Sequence, residues 1–237
     1  MRVLAIIPAR YASSRFPGKP LAKIVSKSMI QRVYEQCKKC EKLTNIIVAT
    51  DDKRIHDHVS NFGGKSIMTK NTHISGTDRC GEVLIKIEDD YDIIINVQGD
   101  EPYIAPEQIS ELLKQFNNKN VEITTLAKET NDPTLIKDKN SPKVIFDEDY
   151  NAISFYRNPE SISKINTHFK HIGIYAFKSK TLEEIVKLSP SKNEKKEDLE
   201  QMRWIDNKFK IKIGLTNYDN ISVDTPEDIL KIEAQIR

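Results

Sequence analysis

Three cations follow the first apolar run of the chain. Val3 to Ile7 is continuously apolar, which predicts a buried parallel strand, and Arg10, Arg15 and Lys19 come soon after it. Ligands of α/β sheets bind at the carboxyl ends of strands. Three prolines and one glycine between positions 8 and 20 restrict this segment without making it a helix. The segment predicts a site for a polyanion such as a nucleoside triphosphate, although a solvated basic loop would carry the same charges.

Two aspartates can add a metal ion to such a site. Asp100 follows the apolar run from Asp92 to Val97. Asp224 follows a short apolar segment from Ile221 to Val223, predicted to be a strand. A carboxylate beside a phosphate site repels the ligand unless a divalent cation lies between them, and Mg²⁺ binds one or two carboxylates together with phosphate oxygens. The alternatives are structural: a Gly-Asp turn at Asp100, and a helix N-cap at Asp224 or Thr225.

Other polar residues fall into two groups. The segment from Ser75 to Arg79 opens a predicted helix and could contact a base or a ribose, with a capping box as the alternative. The second group contains an arginine, which suits a carboxylate, so it could bind an acidic, polyhydroxylated acceptor. Its histidine and its tyrosine are four positions apart, so they point to the same face of a strand. They could equally be ordinary strand residues. The members of the second group are Arg157, His171, Tyr175, Glu200 and Gln201.

The three cysteines do not predict a metal or redox site. Cys37 and Cys40 have the spacing of a ligand pair, but no second pair or nearby histidine completes a zinc site. They also end a predicted helix, whereas a reactive thiol is favoured at a helix N-terminus. Cys37 is in phase with the apolar face of that helix, which predicts a core residue.

Strands and helices alternate through the first half of the chain. This alternation predicts right-handed βαβ units and a doubly wound, mostly parallel α/β sheet. The predicted strands run from Val3 to Ala9, Asn45 to Thr50, Lys65 to Met68 and Asp92 to Val97. The predicted helices run from Met29 to Cys40, Asp52 to Phe62, Thr77 to Glu88 and Pro106 to Phe116.

The second half changes character. A turn-rich link between two apolar stretches predicts a β-hairpin, an antiparallel excursion from the main sheet. Ser189 to Asp198 is polar and predicts an exposed loop. The predicted strands run from Val121 to Ala127, Lys143 to Phe146, Ala152 to Arg157, His171 to Phe177 and Phe209 to Thr216. The predicted helices run from Lys180 to Leu188, Asp198 to Trp204 and Pro226 to Ile236.

Composition limits the class of protein. The 237 residues suffice for one large domain, and 37 basic against 35 acidic side chains leave a net charge of +2. This balance argues against nucleic acid or a membrane surface as partner, so any basic site must be local. We find no long apolar segment and no signal pattern at the N-terminus, and we therefore expect a cytoplasmic protein.

These motifs, taken in order, resemble the 3-deoxy-manno-octulosonate (Kdo) cytidylyltransferases, and the resemblance covers nearly the whole chain. It implies a single domain over residues 1–237 with a nucleotide-diphospho-sugar-transferase-like fold, and a homodimer built partly through an excursion within residues 121–170. It also implies that Mg²⁺ supports CMP transfer from CTP to Kdo for lipopolysaccharide synthesis, with release of pyrophosphate. The matching segments are residues 7–21, 47–51, 75–79, 96–102, 171–175, 199–201 and 223–228.

The resemblance also implies roles for individual residues. Asp100 and Asp224 would hold Mg²⁺, and Arg157 would bind the acid's carboxylate. Residues 158–170 form a shorter segment than is usual in the family, so an 8-amino Kdo or a sialic acid stays an alternative acceptor. A CTP-binding module without catalysis is the other alternative. The implied nucleotide contacts are Arg10, Ser13, Arg15, Lys19, Ser75, Arg79 and Gln98.

Overall fold

The computed structural model describes residues 1–13, 15–157, 167–219 and 221–236. The chain divides into two compact units, Met1–Ile109 with Asn220–Arg237, and Ser110–Asp219. The single domain expected over residues 1–237 stays a prediction.

The elements are numbered in chain order. The strands are β1 (Val3–Ala9), β2 (Lys23–Ile24), β3 (Lys27–Ser28), β4 (Asn45–Thr50), β5 (Ser66–Met68), β6 (Ile93–Asn96), β7 (Ile123–Thr130), β8 (Lys143–Phe146), β9 (Ala152–Tyr156), β10 (His168–Lys178) and β11 (Ile211–Leu215). The helices are α1 (Met29–Lys38), α2 (Lys53–Asn61), α3 (Gly76–Lys86), α4 (Pro106–Gln115), α5 (Pro133–Lys137), α6 (Ser179–Ile185), α7 (Lys192–Glu197), α8 (Gln201–Asp206) and α9 (Pro226–Ile236).

The first unit is built on a parallel sheet in the order β6-β1-β4-β5. All four strands occur where the sequence predicts them, and β1, β4 and β6 have the largely continuous apolar sequence expected of strands covered on both faces. β1 is the most deeply buried of them, with Leu4, Ala5, Ile6 and Ile7 fully inaccessible to solvent. The predicted parallel α/β sheet is confirmed.

The loop after β1 is fixed by its own backbone. Gly18 has a φ of 72°, and its N–H donates to the Tyr11 carbonyl across 2.9 Å. A glycine adopts this left-handed conformation at little cost. A 3₁₀ turn at Lys19–Leu21 follows it directly. The loop therefore presents Lys19 from an ordered turn.

The strand predicted from Ile221 to Val223 is wrong, since the structure has no strand there. One backbone hydrogen bond, 2.9 Å from the Val223 N–H to the Asp100 carbonyl, ties this segment to the loop after β6. Val223 is buried for another reason: it packs with Ile24 and Met29 in a small apolar cluster. Val223 is therefore buried because it packs in that cluster, and not because it pairs with a neighbouring strand.

The second unit contains the predicted antiparallel part of the fold. β10 pairs antiparallel with β7, which pairs parallel with β11, and β8 and β9 form the predicted hairpin. Trp204 packs edge-on against Tyr175 at 4.9 Å and Phe177 at 5.3 Å between ring centroids. The aromatic residues of β10 therefore form much of this unit's core.

Two predictions in the second unit are wrong. The loop expected from Ser189 to Asp198 contains α7, because Ser191 and Glu194 form a capping box at its start. The helix expected from Asp198 begins instead at Gln201, because Asp198 has a φ of 53° and ends α7. Most of the shortened segment, residues 158–166, lies outside the described residues.

Cys37 is fully buried on α1, as predicted from its phase, and burial raises the pKa of its thiol. Cys40 and Cys80 are also buried, and all three cysteines are free. Among the described residues, no helix combines the length and apolarity needed to cross a membrane.

Candidate active site

A cavity of about 240 Å³ lies in the first unit, at the carboxyl ends of β1 and β6. It brings together residues that are far apart in sequence, as expected where parallel strands end on one edge of a sheet. All nine residues predicted for nucleotide and metal line it: Arg10, Ser13, Arg15, Lys19, Ser75, Arg79, Gln98, Asp100 and Asp224.

The ammonium of Lys19 is the centre of this site. It donates to Asp100 Oδ2 across 2.7 Å and to the Val223 carbonyl across 2.8 Å, and it lies 3.9 Å from Asp224 Oδ1. Its side chain is only 16 % exposed, so water screens these contacts weakly. Lys19 thus holds both predicted metal ligands at one point.

The other two cations of the loop lie nearer to solvent. Arg15 pairs with Asp224 Oδ1 at 2.9 Å. Arg10 is exposed on the cavity wall and has no ion pair within the described part of the chain. With Lys19, the loop supplies three cations to two carboxylates, so an anion entering the cavity meets net positive charge.

Gly99 sets the distance between the two strand ends. A Cβ at this position would lie 2.6 Å from the Pro8 carbonyl oxygen, a backbone atom with little freedom to move. Only glycine allows the loop after β6 to approach the end of β1 this closely. Asp100 is the next residue, so this approach places its carboxylate beside Lys19.

The start of α9 leaves the Asp224 carboxylate available to the cavity. Asp228 Oδ2 accepts hydrogen bonds from the Asp224 and Thr225 N–H groups at 3.1 and 3.0 Å. Burial alone would raise the pKa of Asp228, but these amides and Lys231 outweigh it and lower the pKa to about 2. Asp228, not Asp224 or Thr225, therefore satisfies the exposed amides.

The predicted base-contacting segment has a double role. Ser75 caps α3 in a capping box with Asp78, as the structural alternative proposed, and it also lines the cavity. Arg79 lines the cavity but is 3 % exposed; it pairs with Asp51 at 3.1 Å and donates to Thr69 Oγ1 across 2.5 Å. Asp51 and Thr69 thus hold its guanidinium in place.

Sequence reasoning missed two residues of the cavity wall, His73 and Ile74. His73 Nε2 contacts Glu82 Oε2 on α3, and Glu82 also accepts from the Lys70 N–H across 2.8 Å. Burial raises the pKa of Glu82, but Lys86, His73 and the Lys70 amide together lower it to about 2. No spacing rule marks this contact, because the histidine lies in an irregular segment.

The predicted acceptor residues form a polar cluster in the second unit. His171 Nε2 lies 3.0 Å from Thr125 Oγ1, and its ring is 4.9 Å from that of Phe155. Burial and the charge of Arg157 lower the pKa of His171 to about 3, so it is neutral near pH 7. Burial, with the charge of Glu200, raises the pKa of Tyr175 well above its usual value. The cluster therefore offers neutral hydrogen-bonding groups.

Arg157 supplies charge to this cluster. Its guanidinium donates to the Lys139 carbonyl across 3.0 Å and to the Asp198 carbonyl across 3.3 Å, and its Nε is buried without a hydrogen bond. Gln201 is buried and Glu200 half-buried at the start of α8. Sequence reasoning missed a further cation in this unit, Lys143, which is fully buried at the start of β8.

The two carboxylates in the first unit suit a divalent metal. Asp100 and Asp224 converge on one cationic atom, the Lys19 ammonium, and Mg²⁺ needs only one or two protein carboxylates when phosphate oxygens complete its shell. The described residues contain no group of three or more acidic, histidine or cysteine side chains that could hold a metal by themselves. The donor set therefore fits a metal that arrives with phosphate.

The fold and this cavity are those of an α/β nucleotidyltransferase. The cytidylyltransferase family model matches residues 4–212. The chain belongs to this cytidylyltransferase family.

Individual relatives are similar over nearly their full length. A 3-deoxy-manno-octulosonate cytidylyltransferase of Parabacteroides distasonis is 46 % identical, covering 98 % of this chain and 96 % of that protein. An 8-amino-3,8-dideoxy-manno-octulosonate cytidylyltransferase of Shewanella putrefaciens is 44 % identical, covering 100 % and 99 %. A solved structure of CMP:2-keto-3-deoxy-manno-octonic acid synthetase complexed with CTP superimposes with a TM-score of 0.93 at 37 % identity, covering 100 % and 98 %.

The close approach of Gly99 to Pro8 gives the first prediction. Gly99→Ala should lower the free energy of unfolding by about 1–3 kcal/mol and move Asp100 away from Lys19, because the added methyl group meets a backbone oxygen. Urea denaturation and a crystal structure of the variant measure the two effects. Gly63→Ala is a control for losing a glycine where nothing lies within 4 Å, although its φ of 77° adds strain. A longer Asp100–Lys19 distance in Gly63→Ala as well, or an unchanged one in Gly99→Ala, would contradict the argument.

His171 gives a prediction about acid stability. An unfolded histidine binds its proton near pH 6.5, but buried His171 does so only near 3. The unfolded state therefore binds more protons between these values, and the stability of the wild type falls as pH falls through this window. His171→Gln should remove that part of the slope, on the order of a few kcal/mol, in urea denaturation at pH 7.5 and 4.5. His168→Gln, half-buried on the same strand, is the matched control; equal slopes in the wild type and His171→Gln would refute the assignment.

Proposed function

We propose that the protein transfers CMP from CTP to Kdo, giving CMP-Kdo and pyrophosphate. The observation that carries this proposal is the cavity in the first unit, where three loop cations surround two carboxylates that converge on Lys19. Its support comes from the named relatives and from the similarity to a synthetase solved with CTP. Cations at strand ends neutralise a triphosphate, and paired carboxylates suit the metal that accompanies it.

The reaction needs charge neutralisation and alignment more than proton chemistry. The anomeric 2-hydroxyl of Kdo attacks the α-phosphorus of CTP in line: a new P–O bond forms, the bond to the β-phosphate breaks, and the hydroxyl proton passes to solvent. Arg10, Arg15 and Lys19 bind the departing pyrophosphate, and Arg15 and Lys19 exchange their present carboxylate contacts for phosphate oxygens. Ser13, Ser75, Arg79 and Gln98 line the remaining wall and contact the nucleoside part of CTP.

Asp100 and Asp224 would hold Mg²⁺, which when bound lowers the pKa of the attacking hydroxyl and offsets charge at the α-phosphate. Before the metal binds, Lys19 keeps these carboxylates together and limits their mutual repulsion. The two carboxylates that would hold the metal are therefore already adjacent before it binds.

The polar cluster of the second unit binds the acceptor. Arg157 has the geometry to bind a carboxylate through two N–H groups, and its buried Nε has no hydrogen bond of its own. Neutral His171 and Tyr175, with Glu200 and Gln201, suit the several hydroxyl groups of a sugar. An 8-amino sugar acid is the second candidate, because relatives 44 % identical to this chain are named for that acceptor.

We propose in addition that the protein acts as a homodimer in the cytoplasm. Exposed apolar side chains near the β8–β9 hairpin, Tyr150 and Ile153, support an interface at that part of the second unit. Three free cysteines suit a reducing compartment. The mass of the protein in solution tests the dimer.

A pyrophosphate-release assay tests the function. With CTP, Mg²⁺ and a panel of Kdo, 8-amino-Kdo and a sialic acid, the wild type should release pyrophosphate fastest with Kdo, and removing the metal with a chelator should abolish release. Replacing CTP with UTP tests whether the enzyme is specific for the cytosine base. Binding of CTP without pyrophosphate release for any acid would instead identify a CTP-binding module.

Asp100→Asn tests the metal and charge arrangement. The amide keeps the shape of the carboxylate but lacks its charge, so turnover should fall by about 10²-fold or more while the protein stays folded. Asp57→Asn is the matched control, because Asp57 also pairs with a lysine, at 2.9 Å, but lies on α2 away from the cavity. Near-normal turnover of Asp100→Asn at saturating Mg²⁺ would count against the proposed metal site.

A further inference from the structure

Lys143 is a buried lysine of the second unit. It is the first residue of β8, and its side chain is fully buried. In the sheet of the second unit it lies opposite Lys170 on β10 and Tyr156 on β9. Its ammonium donates to the backbone carbonyl of Asp138 across 2.5 Å. A charged group in this position is costly unless something in its surroundings compensates it.

Lys143 forms no ion pair in the part of the chain that the structure describes. Asp138 is the nearest acidic residue that affects it, and its carboxylate accepts instead from the Asn140 N–H across 2.9 Å. Burial lowers the pKa of Lys143, the charge of Asp138 raises it, and the charge of Arg157 lowers it again. The lysine is therefore held mainly by a carbonyl dipole.

Arg157, like Lys143, donates to backbone carbonyl groups. It donates to the carbonyl of Lys139, the residue that follows Asp138, and it too forms no ion pair with a described residue. Two cations thus hold successive carbonyl groups of one short segment, residues 138–141. In the same segment the hydroxyl of Ser141 is buried without a hydrogen bond. Neighbouring cations that have only neutral partners attract an anion strongly.

We infer that Lys143 is a positioning residue for the carboxylate of the acceptor: it fixes residues 138–141 and adds a positive charge without an ion-pair partner beside Arg157. The inference rests on the proposed function, since it takes the acceptor to be a sugar acid. Arg157 binds the carboxylate, and Lys143 acts through the shared segment and through its charge. The pair therefore distinguishes an acid from a neutral sugar of the same shape.

Calorimetry with two ligands tests this role. Kdo and its C1 amide are titrated into the protein holding Mg²⁺ and a CTP analogue with a methylene group between the α- and β-phosphates. The wild type should bind the acid about 10²-fold more tightly than the amide. Lys143→Met keeps the length of the side chain and should lower this preference by about tenfold, with the affinity for the CTP analogue unchanged. Lys143→Arg keeps the charge and should restore most of the preference.

Lys212→Met is the matched control. Lys212 also donates to a backbone carbonyl, that of Asp149, but it is only half-buried and lies on β11, so its loss should leave the preference for the acid unchanged. Equal weakening of acid and amide in Lys143→Met would show that the lysine only supports the fold, and would overturn the inference. A preference below about tenfold in the wild type would overturn it even if Lys143→Met does not fold.

The same measurements separate this inference from the proposed function. Pyrophosphate release from CTP and Kdo, with equal binding of acid and amide, would overturn the role of Lys143 alone. Preferential binding of the acid that depends on Lys143, without pyrophosphate release, would overturn the proposed function alone.

Discussion

The contacts of one ammonium group organise the first unit. Lys19 joins the loop after β1 to Asp100 after β6 and to the backbone just before α9, contacts that span up to 204 positions of sequence. Closing so long a connection costs conformational entropy, which the burial of Val223 beside this contact helps to offset. The carboxylates are thus brought together by the same atom that neutralises them.

That contact depends on backbone geometry at two glycines, Gly18 and Gly99. Gly18 turns the loop through a left-handed conformation directly before Lys19, and Gly99 lets the next strand end come within contact of Pro8. A lysine can reach two carboxylates only if both backbones are correctly placed, because its four-carbon stem has limited length. The positions of two glycines therefore determine the electrostatics of the cavity as much as the charges do.

Much of this site could be predicted from sequence, because parallel strands with continuous apolar runs end on one edge and so bring their following residues together. Apolar character misled the prediction at Ile221 to Val223, where burial comes from a side cluster and not from a ladder. Polarity misled it from Ser189 to Asp198, where a capping box starts a helix. Lys143 and the His73–Glu82 contact could not be predicted, because charged residues are expected at the surface and tertiary partners leave no local pattern.

The cavity of the first unit and the polar cluster of the second differ in the partners of their cations. In the first unit, Lys19 and Arg15 pair with carboxylates and Arg10 pairs with none among the described residues, so most of the positive charge of the cavity is compensated. In the second unit, Arg157 and Lys143 meet only carbonyl groups, which stabilise a cation without cancelling its charge. A site whose cations are mostly paired with carboxylates suits a ligand that carries a counterion, such as a metal–triphosphate complex. A site whose cations lack ion pairs suits a bare carboxylate. The distribution of acidic partners thus supports the proposal that the first site binds the nucleotide and the second the sugar acid.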